Sequence, residues 1–205
     1  MSIILVRHGE TALNASRVVQ PPDTPLSERG LVQAEAAARR IAAMAPSALL
    51  ASDMPRALQT AEAVARACAL PLVTTPLLHE RNFGDLRGRS YDSLGGFDPL
   101  KVPEAPPGGE SEAGFAARCG EIFRLVLRTQ AQVGGTLVVV THGLVIGVLL
   151  RDWIRVEAGT AVPERLANAS LTIFSAQPPH MAQLVNGTEH LDAALRDGAQ
   201  PLAGA

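Results

Sequence analysis

Six short segments rich in aliphatic residues recur along the chain, with the lengths and composition of buried strands. They lie at 3–6, 47–52, 70–75, 136–140, 170–176 and 181–187. Continuous apolar runs such as 3–6 are typical of parallel strands that are buried on both faces. The last two segments are separated only by "QPPH", which predicts a hairpin.

Between these segments, apolar residues return at the three- and four-residue spacing of amphipathic helices. Ser27 is placed to cap the first helix, and Pro55 suits the first turn of the second. The predicted buried stripes are Leu31, Ala34, Ala38 and Ile41, then Leu58, Ala61, Ala65 and Cys68, then Phe115, Cys119, Ile122, Val126 and Val133. A further helix is predicted over 143–153. The alternation predicts an α/β fold, a three-layer α/β/α sandwich around a mainly parallel sheet.

Two long stretches have no periodicity. Residues 12–26 contain three prolines and are expected to be irregular, whereas 76–110 is rich in glycine and turn residues. Long irregular connections in compact domains are usually functional or disordered, so 76–110 is expected to form an excursion above the sheet.

No repeat or linker divides the chain, which predicts a single domain over 1–205. The tail from about residue 193 shows no pattern.

Composition excludes several classes of partner. The formal net charge of -2 gives no electrostatic basis for binding nucleic acid or an anionic membrane. No apolar run approaches the ~20 residues of a membrane-spanning helix, and no basic leader precedes the first strand. We therefore expect a cytoplasmic protein in which Cys68 and Cys119 are buried free thiols.

Polar residues collect directly after the predicted strands. In an open parallel sheet, ligands bind beyond the carboxyl ends of the strands. Here "RHG" and "THG" follow two strands, "SDMPRA" follows a third, and "HER" follows the fourth after a short loop. The residues gathered in this way are Arg7, His8, Gly9, Ser52, Asp53, Arg56, His79, Glu80, Arg81, Thr141, His142 and Gly143. The glycine after each of two histidines allows a backbone N–H to approach a ligand closely.

This cluster is better suited to an anion than to a metal. The candidate metal ligands are His8, His142, Asp53 and Asp85. However, two arginines lie among them, and a guanidinium beside a metal ion repels it. The planar guanidinium matches two phosphate oxygens at once. The sequence therefore predicts a phosphate pocket with no metal.

A histidine in a phosphate pocket suggests nucleophilic attack on phosphorus. Neutral imidazole has a reference pKa near ~6.5 and can hold a phosphoryl group as a phosphoramidate. The arginines would stabilise charge on the equatorial oxygens, and a second histidine would add a donor if it were protonated. The leaving alkoxide needs a proton from a carboxylic acid with a raised pKa, for which Glu80 is the first candidate and Asp85 the second.

These segments resemble the motifs of the histidine phosphatase superfamily, the phosphoglycerate mutase-like proteins. "LVRHGET" followed by Asn14 resembles the family signature, and "DTPLSERGLVQA" its first loop and helix. "SDMPRALQTAEAV" is similar to the motif with the pocket arginine, and "HERNFGDLRGRSYDSL" to the loop that bears the acid. "PPGGES", "VVVTHGLVIGVLL", "NASLTIF" and "LVNGTEHL" extend the resemblance over roughly residues 2–191.

The resemblance implies a role for each matching residue. His8 is implied to be the phosphorylated nucleophile, and Glu80 the proton donor and then the base that activates water. The rest of the implied phosphate pocket comprises Arg7, Arg56, His142, Asn14 and the backbone N–H of Gly143. Arg81 and the excursion, over the active site, are implied to line the substrate entrance, and no metal or other cofactor is implied.

The family contains mutases and phosphatases, and the excursion favours a phosphatase. The resemblance implies that cofactor-dependent mutases have a longer chain, with a basic insert after the acid loop. The corresponding stretch of this chain is short. Here the cations Arg87, Arg89, Lys101 and Arg118 are interleaved with Asp85, Asp92, Asp98, Glu104 and Glu110, so no strongly positive field is expected.

The resemblance thus implies a metal-independent phosphomonoesterase for a small phosphorylated metabolite, either broad in specificity or similar to α-ribazole phosphatases. The alternatives are a cofactor-dependent phosphoglycerate mutase and a non-catalytic phosphate-binding regulator. A homodimer is a further expectation from the family.

Overall fold

The computed structural model describes residues 1–95 and 103–196. Its centre is a six-stranded sheet in the order β3-β2-β4-β1-β5-β6. The strands are β1 (Ser2–Arg7), β2 (Ala48–Ala51), β3 (Leu72–Thr74), β4 (Leu137–Thr141), β5 (Leu171–Ser175) and β6 (Ala182–Gly187). The pairings β1–β4, β2–β4 and β2–β3 are parallel, whereas β5 pairs antiparallel with both β1 and β6. The predicted mainly parallel α/β sheet and its closing hairpin are confirmed.

Helices cover both faces of this sheet. They are α1 (Ala12–Ala15), α2 (Glu28–Ala42), α3 (Pro55–Cys68), α4 (Glu112–Val133), α5 (Gly143–Asp152) and α6 (Ala193–Arg196). The hydroxyl of Ser27 caps α2 by accepting the Gly30 N–H, and Pro55 occupies the first position of α3, as predicted.

Alternate residues of the strands point to opposite layers, which produces two hydrophobic cores. Ile3 and Leu5 of β1 pack in the core that includes α4 and α5. Ile4 and Val6 pack with α2 and α3 on the other face. Because side chains alternate along a strand, a continuous apolar run fills both cores at once, and three layers result.

Several side chains depart from the predicted stripes. The buried face of α2 runs through Gly30, Ala34, Ala38 and Ile41, so Leu31 turns outward and is 46% exposed. Val133 ends α4 and is 38% exposed. Of the two free thiols, Cys119 is buried, but Cys68 at the end of α3 is only partly covered.

Two stretches expected to be irregular contain short helices. Residues 12–15 form the single turn α1, because the Thr11 hydroxyl accepts the Asn14 N–H at 3.0 Å. Residues 193–196 of the tail form α6, whereas 197–205 lie outside the described residues. No helix among the described residues is long and apolar enough to cross a bilayer.

The excursion folds as a series of tight turns held to its surroundings. Three 3₁₀ turns occupy Pro76–Leu78, Gly84–Leu86 and Asp92–Leu94. Arg118 of α4 donates to the carbonyls of Leu77 and His79 at 2.9 and 2.7 Å. Residues 96–102, which include Asp98 and Lys101, lie outside the described part of the chain.

Candidate active site

The three neighbouring strands β2, β4 and β1 end at one edge of the sheet, and their following residues meet there. Arg7 is in register with Thr141, and the His8 N–H donates to the Thr141 carbonyl at 3.0 Å. The Ser52 N–H donates to the Val140 carbonyl at 3.0 Å, which extends the pairing of β2 with β4 by one residue. These bonds gather the predicted residues that follow the three strands.

The loop after β1 lies against the start of α2 at close range. A side chain at Gly9 would place its Cβ 2.5 Å from the Gly30 carbonyl oxygen, so only glycine fits there. The Gly9 N–H donates to the Thr60 hydroxyl at 3.1 Å. The expectation that this N–H faces a ligand is therefore wrong, because it is already donated to Thr60. This bond holds the loop against α3.

The geometry of His8 leaves its Nε2 atom as the nucleophile. Nδ1 lies 2.7 Å from the Gly9 carbonyl, which can only accept, so Nδ1 carries the proton and Nε2 keeps its lone pair. The ring is 2% exposed. Burial, followed by the charges of Arg56 and Arg7, lowers the pKa of His8 well below its usual value. The imidazole is therefore neutral at neutral pH.

His142 lies beside His8, with the ring centroids 5.2 Å apart and the planes inclined at 61°. It is fully buried, and its Nε2 is 2.9 Å from the Ser52 hydroxyl. Its Nδ1 is buried without a hydrogen-bond partner among the described residues. Burial and the Arg56 charge lower the pKa of His142 well below its usual value, so it donates as neutral imidazole rather than as a cation.

Arg7 and Arg56 bring two guanidinium groups to the same place. Arg7 donates through Nη1 to the Leu166 carbonyl, and Arg56, 2% exposed, reaches the Met54 sulfur at 3.2 Å. The Nε atoms of both are buried, and no residue within 1–95 or 103–196 accepts a hydrogen bond from them. Burial lowers the pKa of each to about 10, so both remain charged at neutral pH. Two neighbouring cations that are largely removed from water, each with an Nε–H group aimed at no described acceptor, favour the binding of an anion.

Glu80 is the carboxylate that faces these cations. Its two oxygens accept the backbone N–H groups of Arg81 and Leu144 at 3.2 and 3.1 Å. Burial raises the pKa of Glu80, although these N–H groups and the nearby arginines oppose the shift. Asp85, the second candidate acid, is exposed and does not line the cavity. This placement favours Glu80 as the acid.

The other predicted site residues lie at the cavity wall. Asn14 accepts from the Asn168 amide at 3.3 Å, which leaves its own amide N–H groups for a ligand. A Cβ at Gly143 would lie 3.3 Å from the Arg7 Nε atom. Arg81 is 4% exposed, donates to the Glu110 carbonyl at 3.1 Å, and lies over the Phe83 ring.

These groups surround a cavity of about 250 Å³. Its lining includes seven arginines, at 7, 17, 29, 56, 81, 87 and 165, but only three glutamates, at 10, 80 and 164. The described acids of the excursion beyond Glu80 do not line it. The excursion contributes only Arg81 and Arg87 of these arginines, so the positive charge of the cavity comes mainly from segments outside the excursion.

Sequence reasoning missed several lining residues. Glu10 is 6% exposed and forms an ion pair with Arg29 at 3.5 Å. Asn168 donates to the His8 carbonyl at 3.1 Å. Its position three residues before β5, the strand next to β1 in the sheet, was a usable signal. Arg165 lies in a connection with no pattern, so the sequence contained no signal for it.

Of the four candidate metal ligands, His8 and His142 lie side by side, but the two carboxylates do not join them. Asp53 is partly exposed and pairs with His79, and Asp85 is exposed outside the cavity. Within residues 1–95 and 103–196, no group of three histidine, cysteine or carboxylate side chains is arranged to hold a metal ion.

Comparisons with known proteins identify relatives of the sequence and of the fold. The chain is 33% identical over 219 residues to a Yersinia pestis protein named "Probable phosphoglycerate mutase GpmB", covering 98% of this chain and 99% of that protein. The structure is similar to Bacillus stearothermophilus YhfR, with a TM-score of 0.79, 27% identity, and 92% and 98% of the two chains covered.

It is also similar to a mycobacterial glucosyl-3-phosphoglycerate phosphatase, with a TM-score of 0.76, 26% identity, and 91% and 99% of the two chains covered. The sequence model of the histidine phosphatase superfamily (branch 1) matches residues 3–186. The chain therefore belongs to branch 1 of the histidine phosphatase superfamily.

Proposed function

We propose that the protein is a phosphomonoesterase that acts on a small phosphorylated metabolite through a phosphohistidine at His8. The observation that carries this proposal is the His8 geometry, with Nδ1 bonded to the Gly9 carbonyl and Nε2 left to attack. The unpartnered Nε atoms of Arg7 and Arg56 supply positive charge where the phosphoryl oxygens would lie.

The first step transfers the phosphoryl group to the protein. Nε2 of His8 attacks phosphorus, the bond from phosphorus to the ester oxygen breaks, and Glu80 gives its proton to that oxygen. The raised pKa of Glu80 favours its protonated form relative to an exposed glutamate, which suits a proton donor. Arg7 and Arg56 stabilise the charge on the equatorial oxygens, so this scheme needs no metal.

The second step returns the protein to its starting state. Water attacks phosphorus, Glu80 takes the proton from the water, and the bond between phosphorus and Nε2 breaks to release inorganic phosphate. Glu80 is then protonated again, and no proton is gained or lost by the protein over the cycle.

A mutase is the second candidate. The relative named as a phosphoglycerate mutase, at 33% identity, favours it, as does the excess of arginine in the cavity. The similarity to a glucosyl-3-phosphoglycerate phosphatase favours hydrolysis. Both candidates share the phosphohistidine, so they differ only in whether water or a second hydroxyl takes the phosphoryl group.

Two assays test the proposal. Hydrolysis of para-nitrophenyl phosphate should persist in excess EDTA, whereas a non-catalytic regulator would release no nitrophenol. A coupled enolase assay with 3-phosphoglycerate and 2,3-bisphosphoglycerate should show phosphate release that far exceeds mutase flux. Bisphosphate-dependent mutase flux with little phosphate release would establish the second candidate instead.

A further inference from the structure

Arg118 of α4 uses all five of its N–H donors around the loop that carries Glu80. Three of them donate to the backbone carbonyls of Leu77, His79 and Glu80, at 2.9, 2.7 and 3.3 Å. The other two donate to the Glu110 carboxylate at 2.9 and 2.8 Å. Because the donors of a guanidinium lie in one rigid plane, these bonds fix the backbone of the loop relative to α4.

The Arg118 guanidinium is itself held in place. Its central carbon lies 5.0 Å from the centre of the Phe115 ring, and Phe115 is buried in the core. Burial acts against ionisation of both Arg118 and Glu110, but the hydrogen bonds between them outweigh it. These bonds raise the pKa of Arg118 and lower the pKa of Glu110, so both groups are charged at neutral pH.

Glu110 extends the same hold to the residues that follow Glu80. Its backbone carbonyl accepts from the Arg81 side chain at 3.1 Å, and its N–H donates to the Asn82 carbonyl at 2.8 Å. The chain on both sides of Glu80 is therefore bonded to Arg118 or to Glu110. The backbone at Glu80 cannot shift unless several of these bonds break.

The Glu80 carboxyl group depends on this placement. One of its oxygens accepts the Leu144 N–H at 3.1 Å. Leu144 lies in the first turn of α5, where N–H groups have no acceptor within the helix. Arg118 does not line the active-site cavity, so it can influence the reaction only through the loop that it binds.

We propose that Arg118 is a positioning residue, which together with Glu110 holds the Glu80 carboxyl group within reach of the ester oxygen of the substrate. The inference rests on the proposed function, in which Glu80 protonates that oxygen. A general acid acts only within hydrogen-bond reach of the atom that it protonates. A displacement of ~1 Å can lower a rate by about 100-fold.

Two esters with different leaving groups separate a misplaced acid from a damaged fold. The nitrophenolate of para-nitrophenyl phosphate departs without a proton, whereas the alkoxide of benzyl phosphate must be protonated. Values of kcat/KM include the departure of the alcohol but not the later attack by water. Arg118→Gln should lower kcat/KM by about 10- to 100-fold for benzyl phosphate, and by less than about threefold for para-nitrophenyl phosphate. Glu80→Gln should show the same selectivity with a larger loss.

Three further variants separate position from charge and from folding. Arg118→Lys keeps the charge, but one ammonium cannot bind three carbonyls and Glu110 together, so it should show the same selective loss. Glu110→Gln should show a smaller selective loss, and it decides the question if Arg118→Gln does not fold. Arg128→Gln, at an exposed position of α4, is the control and should change neither value. Wild-type kcat/KM values in Arg118→Lys, or equal losses with both esters in Arg118→Gln and Glu110→Gln, would overturn the inference.

Amide hydrogen exchange tests the position of Glu80 without turnover. In Arg118→Gln, the Leu144 N–H should exchange at least ~10-fold faster than in wild type, because its acceptor is displaced. The Ile146 N–H, which donates to the His142 carbonyl at 3.1 Å, is the internal control and should not change. Faster exchange at Leu144 in a protein whose wild type hydrolyses neither ester would overturn only the phosphatase proposal. Hydrolysis of both esters with unchanged exchange at Leu144 would overturn only the positioning role of Arg118.

Discussion

The Ser52 hydroxyl lies 2.9 Å from Nε2 of His142, and both side chains are fully buried. The same hydroxyl oxygen accepts the Met54 N–H at 3.3 Å, and the described bonds give its proton no acceptor other than Nε2. Ser52 therefore donates to Nε2, and the proton of the neutral ring is held on Nδ1. The unpartnered Nδ1–H of His142 is then available to a phosphoryl oxygen.

Without this hydroxyl, the His142 ring should no longer be held in the tautomer that carries its proton on Nδ1. We expect Ser52→Ala to lower kcat by about 10-fold or more, the scale of one lost hydrogen bond to a charged group. Nitrogen-15 NMR of His142 should show protonation shifting from Nδ1 toward Nε2. The control is Ser170→Ala, which removes another buried hydroxyl. The described part of the chain offers that hydroxyl no hydrogen-bond partner, and it does not line the cavity. An unchanged tautomer in Ser52→Ala would show that Ser52 does not set it.

Glu80 and Asp85 can be separated by matched amide substitutions. Glu80→Gln should lower kcat by roughly 100-fold or more, the usual scale for a lost general acid. Asp85→Asn should stay within about twofold of wild type, because Asp85 is exposed and outside the cavity. The reverse ranking of the two variants would identify Asp85 as the acid.

The pH dependence of kcat/KM follows from two pKa shifts in opposite directions. The lowered pKa of His8 keeps the nucleophile neutral well below pH 6.5. The raised pKa of Glu80 extends its protonated form toward neutral pH, and the rate falls as pH rises through that pKa. The profile should therefore peak on the acidic side of neutral. In the Glu80→Gln variant, kcat/KM should no longer fall as the pH rises. If the fall persists in this variant, a group other than Glu80 causes it.

Acid should destabilise the fold through the buried histidines. The folded-state pKa values of His8 and His142 lie well below 6.5, so the unfolded chain binds more protons as pH falls below about 6.5. Each histidine then lowers the free energy of unfolding by up to about 1.4 kcal/mol per pH unit. Protonation of Glu80 acts in the opposite direction, because its folded pKa is raised.

Urea unfolding between pH 7.5 and 5.5 measures this effect. His8→Asn and His142→Asn should each show a smaller loss of unfolding free energy than wild type over that range. Two variants are used because either one alone could alter the fold. Parallel pH profiles for wild type and both variants would show that the two rings are not the cause.

Most of the sheet was predictable because strand burial leaves a strong local signal. The run Leu137–Thr141 is fully buried on both faces, so every position is apolar or a short threonine. The prediction of which residues each helix buries was less reliable. Leu31 was misplaced because Gly30 and Gln33 occupy the inner positions at the start of α2, and Gln33 is buried since its side chain bonds to the Glu10 N–H.

The inner part of the active site was predictable, whereas the outer part was not. His8, Arg56 and His142 follow strands or begin helices, so the topology alone gathers them. Residues such as Arg17, Arg87 and Arg165 reach the cavity from irregular segments whose paths depend on distant bonds. One such bond is that from Arg7 to the Leu166 carbonyl, which no local pattern encodes.

The most direct test of the proposed chemistry is to identify the phosphorylated atom. Brief incubation with phosphorus-32-labelled substrate, followed by rapid quenching, should give an acid-labile and base-stable phosphoprotein. Peptide mapping and phosphorus-31 NMR should place the phosphoryl group on Nε2 of His8, because Nδ1 is bonded to the Gly9 carbonyl. His8→Ala should form no phosphoprotein and have no activity. A phosphoserine, a phosphoryl group on another residue, or an active His8→Ala protein would contradict the mechanism.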